Sequence, residues 1–262
     1  GSQYAVVEAV SKAVAAGAAY DGMRFSYQEY FERMHTPLSW GKPLAALLGT
    51  LRMQVELGLP SIGGKDSMSG TFDKISVPPT LLAFGVATVD NRRVISPEFK
   101  EAGHKIYLVR HTPKADLTPD TDALKEMWPA LTAAISEGKV AAAYTVVFGG
   151  VAEAVAKMSF GNNIGAEIDL DEHDLFAAGN GSIVVEANED LFIPGAELIG
   201  RTLSEPVLRV NTEEISIDEA RNANSSRFCE IYPDRSGLTG KVENAVSGPN
   251  TTEWQGEPIQ NP

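Results

Sequence analysis

The sequence predicts a mixed α/β and α+β chain built in two successive halves that divide near residue 101. Three observations carry that expectation. Apolar residues recur at helical spacing in two early segments, first Val6, Val7, Val10 and Val14, then Leu44, Leu47, Leu48, Leu51 and Val55. Apolar strand-like runs at 79–89, 104–110 and 140–148 alternate with helical patterns at 120–137 and 151–158. Between the first helices and the first long strand lies a stretch unlike the rest, Leu57 to Phe72, rich in glycine, serine and charge.

The first helix is expected over residues 4–16, ending at Gly17, with Glu8 set within its apolar pattern. Residues 23–31 read as a strand that runs into a loop and carries Gln28 and Glu29. The leucine stripe at 44–55 predicts an amphipathic helix with Pro43 in its first turn and Gly58 just past its end. That helix delivers the chain to the glycine-rich stretch, expected as a loop. Gly63 and Gly64 let a backbone approach a ligand closely. Lys65 offers a point charge to phosphate oxygens, and Asp66 is a hard oxygen ligand of the kind Mg²⁺ takes. Ser67 and Ser69 add hydroxyls. The spacing is not that of a Walker A loop, and composition alone leaves open an ordinary connection between strands.

In the second half, the strand at 104–110 and a helix at 120–137 interrupted by Pro129 lead to the strand 140–148. Gly149-Gly150 then opens the helix 151–158. A double glycine there serves either anion binding at a helix N-terminus or close helix–strand packing, and packing is favoured. Asp169, Asp171, Glu172 and Asp174 surround His173 in a cluster that reads as a solvated loop. Further strands are expected at 166–170, 182–186 and 197–210, with a short helix at 215–221. Residues 222–262 carry Asn, Ser, Gly, Pro and Thr with little periodicity and read as a linker.

The chain has 262 residues, 43% of them hydrophobic, and a formal charge of -13. That length suits one large domain or two ordinary ones. The acidity argues against a nucleic-acid groove. The single cysteine, Cys229, excludes an internal disulfide framework and fits a reducing, cytoplasmic setting. No apolar run is long enough to span a membrane. Because the first helical pattern begins almost at once, a longer parent chain is expected.

The string Gly-Leu-Pro-Ser-Ile-Gly-Gly-Lys-Asp-Ser-Met-Ser-Gly-Thr-Phe at 58–72 resembles the signature stretch of phosphoribosylformylglycinamidine synthase, the glutamine-dependent ligase of purine synthesis. Phe-Ser-Tyr-Gln-Glu-Tyr-Phe (25–31), Trp-Gly-Lys-Pro-Leu-Ala-Ala-Leu-Leu-Gly (40–49) and Val-Ile-Ser-Pro-Glu-Phe-Lys (94–100) resemble a long-chain bacterial subfamily in the same order. The resemblance runs from about residue 4 to residue 211. It implies tandem PurM-like repeats followed by a glutaminase. Residues 1–100 would be the barrel-forming N-terminal half of the second repeat, 101–211 its C-terminal half, and 212–262 a linker toward the glutaminase. The first repeat and the glutaminase lie outside these 262 residues, and Cys229 is not in the setting of the glutaminase nucleophile.

The resemblance implies ATP and Mg²⁺ as cofactors and formylglycinamide ribonucleotide as substrate. ATP would activate the formyl amide oxygen as an iminophosphate, and ammonia from glutamine would displace phosphate to form a C–N bond. Lys65 and Asp66 would be catalytic, and Gly63, Gly64, Lys65 and Gln28 would contact the nucleotide. Ser67 and Ser69 would face substrate, and Asp66 and Glu8 would bind the metal. The family's asparagine one turn after the metal-binding glutamate corresponds to Lys12, and its aspartates before the double glycine to Thr145 and Phe148. The partners implied are the first repeat and the glutaminase, with no nucleic acid and no membrane. The chain alone is expected to be inactive and to self-associate through an apolar sheet face. The other readings are a non-catalytic interaction repeat and another ATP-dependent enzyme of the PurM superfamily.

Overall fold

A computed structural model describes residues 1–232. The first 222 residues form one compact unit, and a second begins at Ala223.

Helix α1 (Ser2–Ala15) opens the chain and β1 (Arg24–Tyr30) follows. Helix α2 (Pro37–Leu57) starts earlier than the leucine stripe implies. Thr36 caps it, its side chain accepting from Ser39 N–H while Ser39 Oγ accepts from the Thr36 N–H, a capping box that fixes the start. Pro43 therefore lies inside the helix, not in its first turn. Gly58 ends it at φ 69°, a left-handed conformation that glycine adopts without a Cβ clash.

The glycine-rich stretch is not a loop. Ser61–Ser67 form strand β2, which pairs in parallel with β1. A small hairpin, β3 (Thr71–Phe72) and β4 (Ile75–Ser76), leads to β5 (Thr80–Val86), antiparallel to β1 on its other side. The resulting sheet has the order β2-β1-β5 and leaves β2 at an edge.

The second sheet begins with β6 (Lys105–Val109). Helix α3 (Thr121–Ser136), β7 (Val140–Thr145), α4 (Gly150–Phe160), β8 (Gly165–Ile168) and α5 (Glu172–Phe176) follow. Strands β9 (Ile183–Ala187), β10 (Ala196–Leu203), β11 (Val207–Val210) and β12 (Glu213–Ser216) complete it, before α6 (Ile217–Ser226). The seven strands lie in the order β12-β11-β8-β10-β6-β9-β7. The sheet thus continues past Asn211 through β12, within the stretch expected as a linker from residue 212, and β12 takes in the start of the short helix expected at 215–221.

The two sheets share one core. Val6, Val7, Val10 and Val14 of α1 are fully buried, together with Met23 and Phe25 from the first half and Trp128, Leu131, Val109 and Ile183 from the second. Ser11, equally buried on α1, accepts a hydrogen bond from the Trp128 indole at 3.2 Å. A second cluster lies on the other face of the seven-stranded sheet, under α4 and α6, around Phe99, Met158 and Ile217.

The leucine stripe of α2 does not face that core. Leu44, Leu48, Leu51 and Val55 are more than half exposed, whereas Thr50, Met53 and Leu57 are buried. The helix packs on α1 through its other side, so an apolar stripe that would ordinarily be a core face is turned outward.

The acidic cluster around His173 also resolves into ordinary contacts. Asp171 accepts from the His173 N–H at the start of α5, and Asp174 pairs with Arg110 at 2.9 Å. At the double glycine, the Gly149 N–H donates to Glu153 and Gly150 sits tightly on the backbone of Leu175. Both observations are those of the packing reading.

His111 is buried where β6 gives way to the loop before α3. Its Nδ1 lies 3.0 Å from the Asn180 carbonyl and its Nε2 lies 3.1 Å from the Asp120 amide nitrogen. The Asp120 N–H must donate, so Nε2 is the acceptor and Nδ1 carries the proton. Burial holds the imidazole below its ordinary 6.5. The unfolded chain then takes up a proton before the folded one does. Stability is full above about pH 6.5 and is lost as pH falls toward the lower folded value. Chemical denaturation between pH 7.5 and 5.5 should show wild type losing stability more steeply than His111→Gln, in which that term is absent.

Candidate functional site

The candidate site is the first sheet, and its geometry follows from strand alternation. The buried residues of β1 are Phe25, Tyr27 and Glu29, so this set faces the helices. Ser26, Gln28 and Tyr30 face the other way, onto the open side of the sheet. The parallel register pairs Ser26 with Gly63, Gln28 with Lys65 and Tyr30 with Ser67 on the open side. It pairs Tyr27 with Gly64 and Glu29 with Asp66 on the helix side.

Lys65 and Asp66, expected to act together, therefore project from opposite faces of one sheet. On the open face, exposed Lys65 has Gln28 beside it, and Tyr30 Oη donates to Gln28 Oε1 at 3.0 Å. Ser67 lies on the same face, next to Tyr30. Ser69 falls beyond the end of β2, in the connection to β3. The apolar remainder of this face is Leu82, Phe84 and Val86 of β5, which are 42%, 48% and 66% exposed.

On the helix side, Asp66 and Tyr27 border a cleft of about 440 Å³ roofed by Leu47, Leu48 and Leu51 of α2. Glu29, beside Asp66, is 1% exposed. Burial, then the Asp66 charge and a carboxyl–carboxyl hydrogen bond to Asp66, push the Glu29 carboxyl up to about 7. Among the described residues, three buried side-chain polar atoms lack a hydrogen-bond partner: Tyr27 Oη, Glu29 Oε1 and Glu29 Oε2. All three belong to this face of β1.

Glu8 is not part of that arrangement. It lies on α1 and forms an ion pair with Lys12 at 2.6 Å, bordering a different cavity with Lys42, Thr80 and Phe148. Lys12 and Thr145 share a further small cavity. Among the described residues, no group of three or more His, Cys, Asp or Glu side chains is placed to hold a metal ion. The sequence pointed to Asp66 but missed its neighbour, because a strand pairing across 37 residues leaves no local signal.

Comparison with known proteins places this geometry in context. No family model matches the chain. It is 28% identical over 206 residues to phosphoribosylformylglycinamidine synthase subunit PurL of Lactobacillus delbrueckii subsp. bulgaricus, which covers 71% of this chain and 27% of that protein. The resemblance to the PurL-type synthase holds. PurL of Methanocaldococcus jannaschii is 25% identical over 278 residues, 90% of this chain and 37% of the relative. The chain thus spans about a quarter to a third of the length of these PurL relatives.

Among solved structures, Thermotoga maritima PurL complexed with AMPPCP superposes with a TM-score of 0.64 at 17% identity, over 84% of this chain and 40% of that one. The HypE–HypF complex contains a chain matched with a TM-score of 0.61 at 12% identity, over 82% of this chain and 83% of that one. At such identities the likeness establishes the PurM-like, mixed α/β fold alone. Among the described residues no helix is long and apolar enough to cross a membrane.

The two glycines of β2 are not equivalent. A Cβ on Gly64 would lie 2.7 Å from the Tyr27 carbonyl oxygen, whereas one on Gly63 would meet open space. Gly64→Ala should destabilise by about 1–3 kcal/mol, the usual range for overpacking, and Gly63→Ala should be neutral or slightly stabilising. Thermal melts of the two variants would check the asymmetry. Equal melting temperatures would contradict the close approach of β2 to β1.

Proposed function

We propose that this chain is the part of a PurL-type formylglycinamidine ribonucleotide synthase that carries the open-face nucleotide contacts, in a purine-biosynthetic ligase acting in the cytoplasm. The observation that supports this reading most directly is the register that sets Gln28 beside exposed Lys65 on a solvent-facing sheet. The similarity to PurL relatives gives that pair its chemistry. Lys65 neutralises phosphate oxygens of ATP as a point charge. Gln28 contributes its amide, and Gly63, with no side chain, lets a phosphate approach the strand. Ser67, one residue pair along on the same face, and Ser69 beyond it are the hydroxyls for formylglycinamide ribonucleotide. Gly64 belongs to the backbone fit between strands.

Mg²⁺ enters this reading through Asp66, whose carboxylate suits a hard cation. Glu8 does not fit beside it: it is bound to Lys12 and borders a separate cavity. Mg²⁺ that accompanies ATP would neutralise the phosphates on the open face beside Lys65, and a cation on Asp66 would lie on the other face of the sheet. The chemistry left to these side chains is to position the phosphates and hold the substrate. The glutaminase that supplies ammonia, and the first PurM-like repeat, are the partners. The first repeat would cover the open face at Leu82, Phe84 and Val86 and close the barrel. Residues 1–100 correspond to the N-terminal half of the second repeat and 101–211 to its C-terminal half, which β12 and α6 extend beyond the expected boundary at 211; of the linker expected over 212–262, residues 233–262 lie outside the described residues.

Three measurements test the reading. The chain should bind ATP in a chelator-sensitive way, and Lys65→Ala should weaken that binding about tenfold, the loss of one charge-assisted contact of ~1.4 kcal/mol, with its melting temperature unchanged. It should form no amidine from substrate with glutamine or ammonia, because the site needs its partners. Chelator-insensitive ATP binding, or none, would favour the non-catalytic interaction repeat, and amidine formation by this chain would overturn the division of labour. With the open face uncovered, light scattering should show concentration-dependent self-association, reduced by Phe84→Ser. A strict monomer at all concentrations would mean that this face needs no cover.

A further inference from the structure

The helix-side face of β1 holds an arrangement that the open-face reading does not use. Glu29 and Asp66 are register partners on neighbouring parallel strands, so their side chains leave the same face side by side. Neighbouring strands lie about 4.8 Å apart. Glu29 is 1% exposed; as an ionised carboxylate it has no donor for either oxygen, and the group set against it is the Asp66 carboxyl, with which it can share a hydrogen bond only when one of the two is protonated. One residue pair along on the same face, the Tyr27 hydroxyl is also buried without a partner. Tyr27 and Asp66 border the same cleft under α2.

Three orphaned oxygens on one face are costly, because a buried polar atom without a partner loses its hydration for nothing. Two adjacent carboxyl groups, one of them buried, cannot both ionise without a countercharge. Lys65 points to the opposite face by strand alternation, and Lys42 is paired with Glu32.

We propose that Glu29 and Asp66 together hold one hard divalent cation of the Mg²⁺ class on the helix side of the sheet, with Tyr27 as its outer partner. Two carboxylates supply two negative charges against two positive ones. Strands 4.8 Å apart let carboxylate oxygens from both reach one ion at about 2.1 Å. Water from the cleft fills the remaining positions, as Mg²⁺ prefers. The Tyr27 hydroxyl donates to the Glu29 carboxylate or to a metal-bound water, which accounts for the third orphaned atom. The metal partner of Asp66 is then Glu29, in place of Glu8. The inference rests on reading Asp66 as a metal ligand and is independent of ATP, since the nucleotide contacts lie across the sheet.

The test uses Mn²⁺ as probe, with the full chain and no nucleotide, reading free Mn²⁺ by electron paramagnetic resonance. One Mn²⁺ should bind per chain and be displaced by Mg²⁺. Glu29→Gln and Asp66→Asn should each weaken binding more than tenfold. Tyr27→Phe, which removes an outer partner, should weaken it about tenfold. Glu8→Gln and Lys65→Ala should leave it unchanged. Circular dichroism establishes that each variant is folded. Should Glu29→Gln fail to fold, Asp66→Asn on the exposed strand decides alone. No bound Mn²⁺, or binding equal in wild type and Asp66→Asn, overturns the proposal. Loss of ATP binding in Lys65→Ala with Mn²⁺ binding intact separates the fate of this site from that of the nucleotide site.

Discussion

Everything in the first 222 residues hangs on the burial of α1. Four valines on one helix, Val6, Val7, Val10 and Val14, have no exposed surface. They pack at once against the three-stranded sheet, α3 and the seven-stranded sheet. Full burial of side chains of this size contributes ~1.5–3 kcal/mol each. The hydrogen bond from Trp128 to Ser11 adds direction to what is otherwise non-directional packing. It fixes how α1 meets α3. Because α1 packs against β5, the strand that pairs with β1, the position of the candidate site is set by a helix that contributes no group to it.

A second constraint comes from pairing β2 in parallel with β1. Once Gln28 is opposite Lys65, alternation leaves no choice for the rest: Lys65 and Ser67 go to the open face, Asp66 to the helix side. A string that looks like one cluster of charged groups becomes two sites with a sheet between them. On one side is a lysine in water beside a glutamine. On the other is an aspartate beside a buried, protonation-prone glutamate whose carboxyl is pushed up to about 7. Adjacency in sequence thus means separation in space.

Much of this was legible in the sequence where the signal was local. The valine spacing gave α1, the strand at 104–110 gave β6, and Gly58 marked the end of α2. The quoted blocks gave the PurL resemblance. What was not legible depended on pairing over distance. Glycines and serines at 61–67 have low strand propensity, and only β1 beside them makes them a strand. The leucine stripe of α2 carried correct periodicity but not its direction, since periodicity says that a face is apolar and not what covers it. The start of α2 was missed because Thr36 and Ser39 form a capping box that outweighs the turn signal of Pro43. Glu29 was legible as part of the strand at 23–31, but not its setting, which depends on Asp66, a residue 37 positions away.

The unpaired edge of β2 ties these observations together. An edge strand offers free N–H and C=O groups to another chain, and proteins ordinarily blunt or cover such edges. Here the edge is flanked by apolar surface on both sides of the sheet. Leu82, Phe84 and Val86 lie on the open face, and Leu47, Leu48 and Leu51 of α2 border the cleft on the helix side. Burying each half-exposed leucine contributes ~1 kcal/mol at 25 cal/mol per Å², so an element that paired with β2 would bury both apolar faces in one step. Lys65 and Asp66 lie on that same strand, one on each face. An element docking along β2 would therefore exclude water from both carboxylate and lysine sites together, and the electrostatic interactions at each would strengthen as the local dielectric fell.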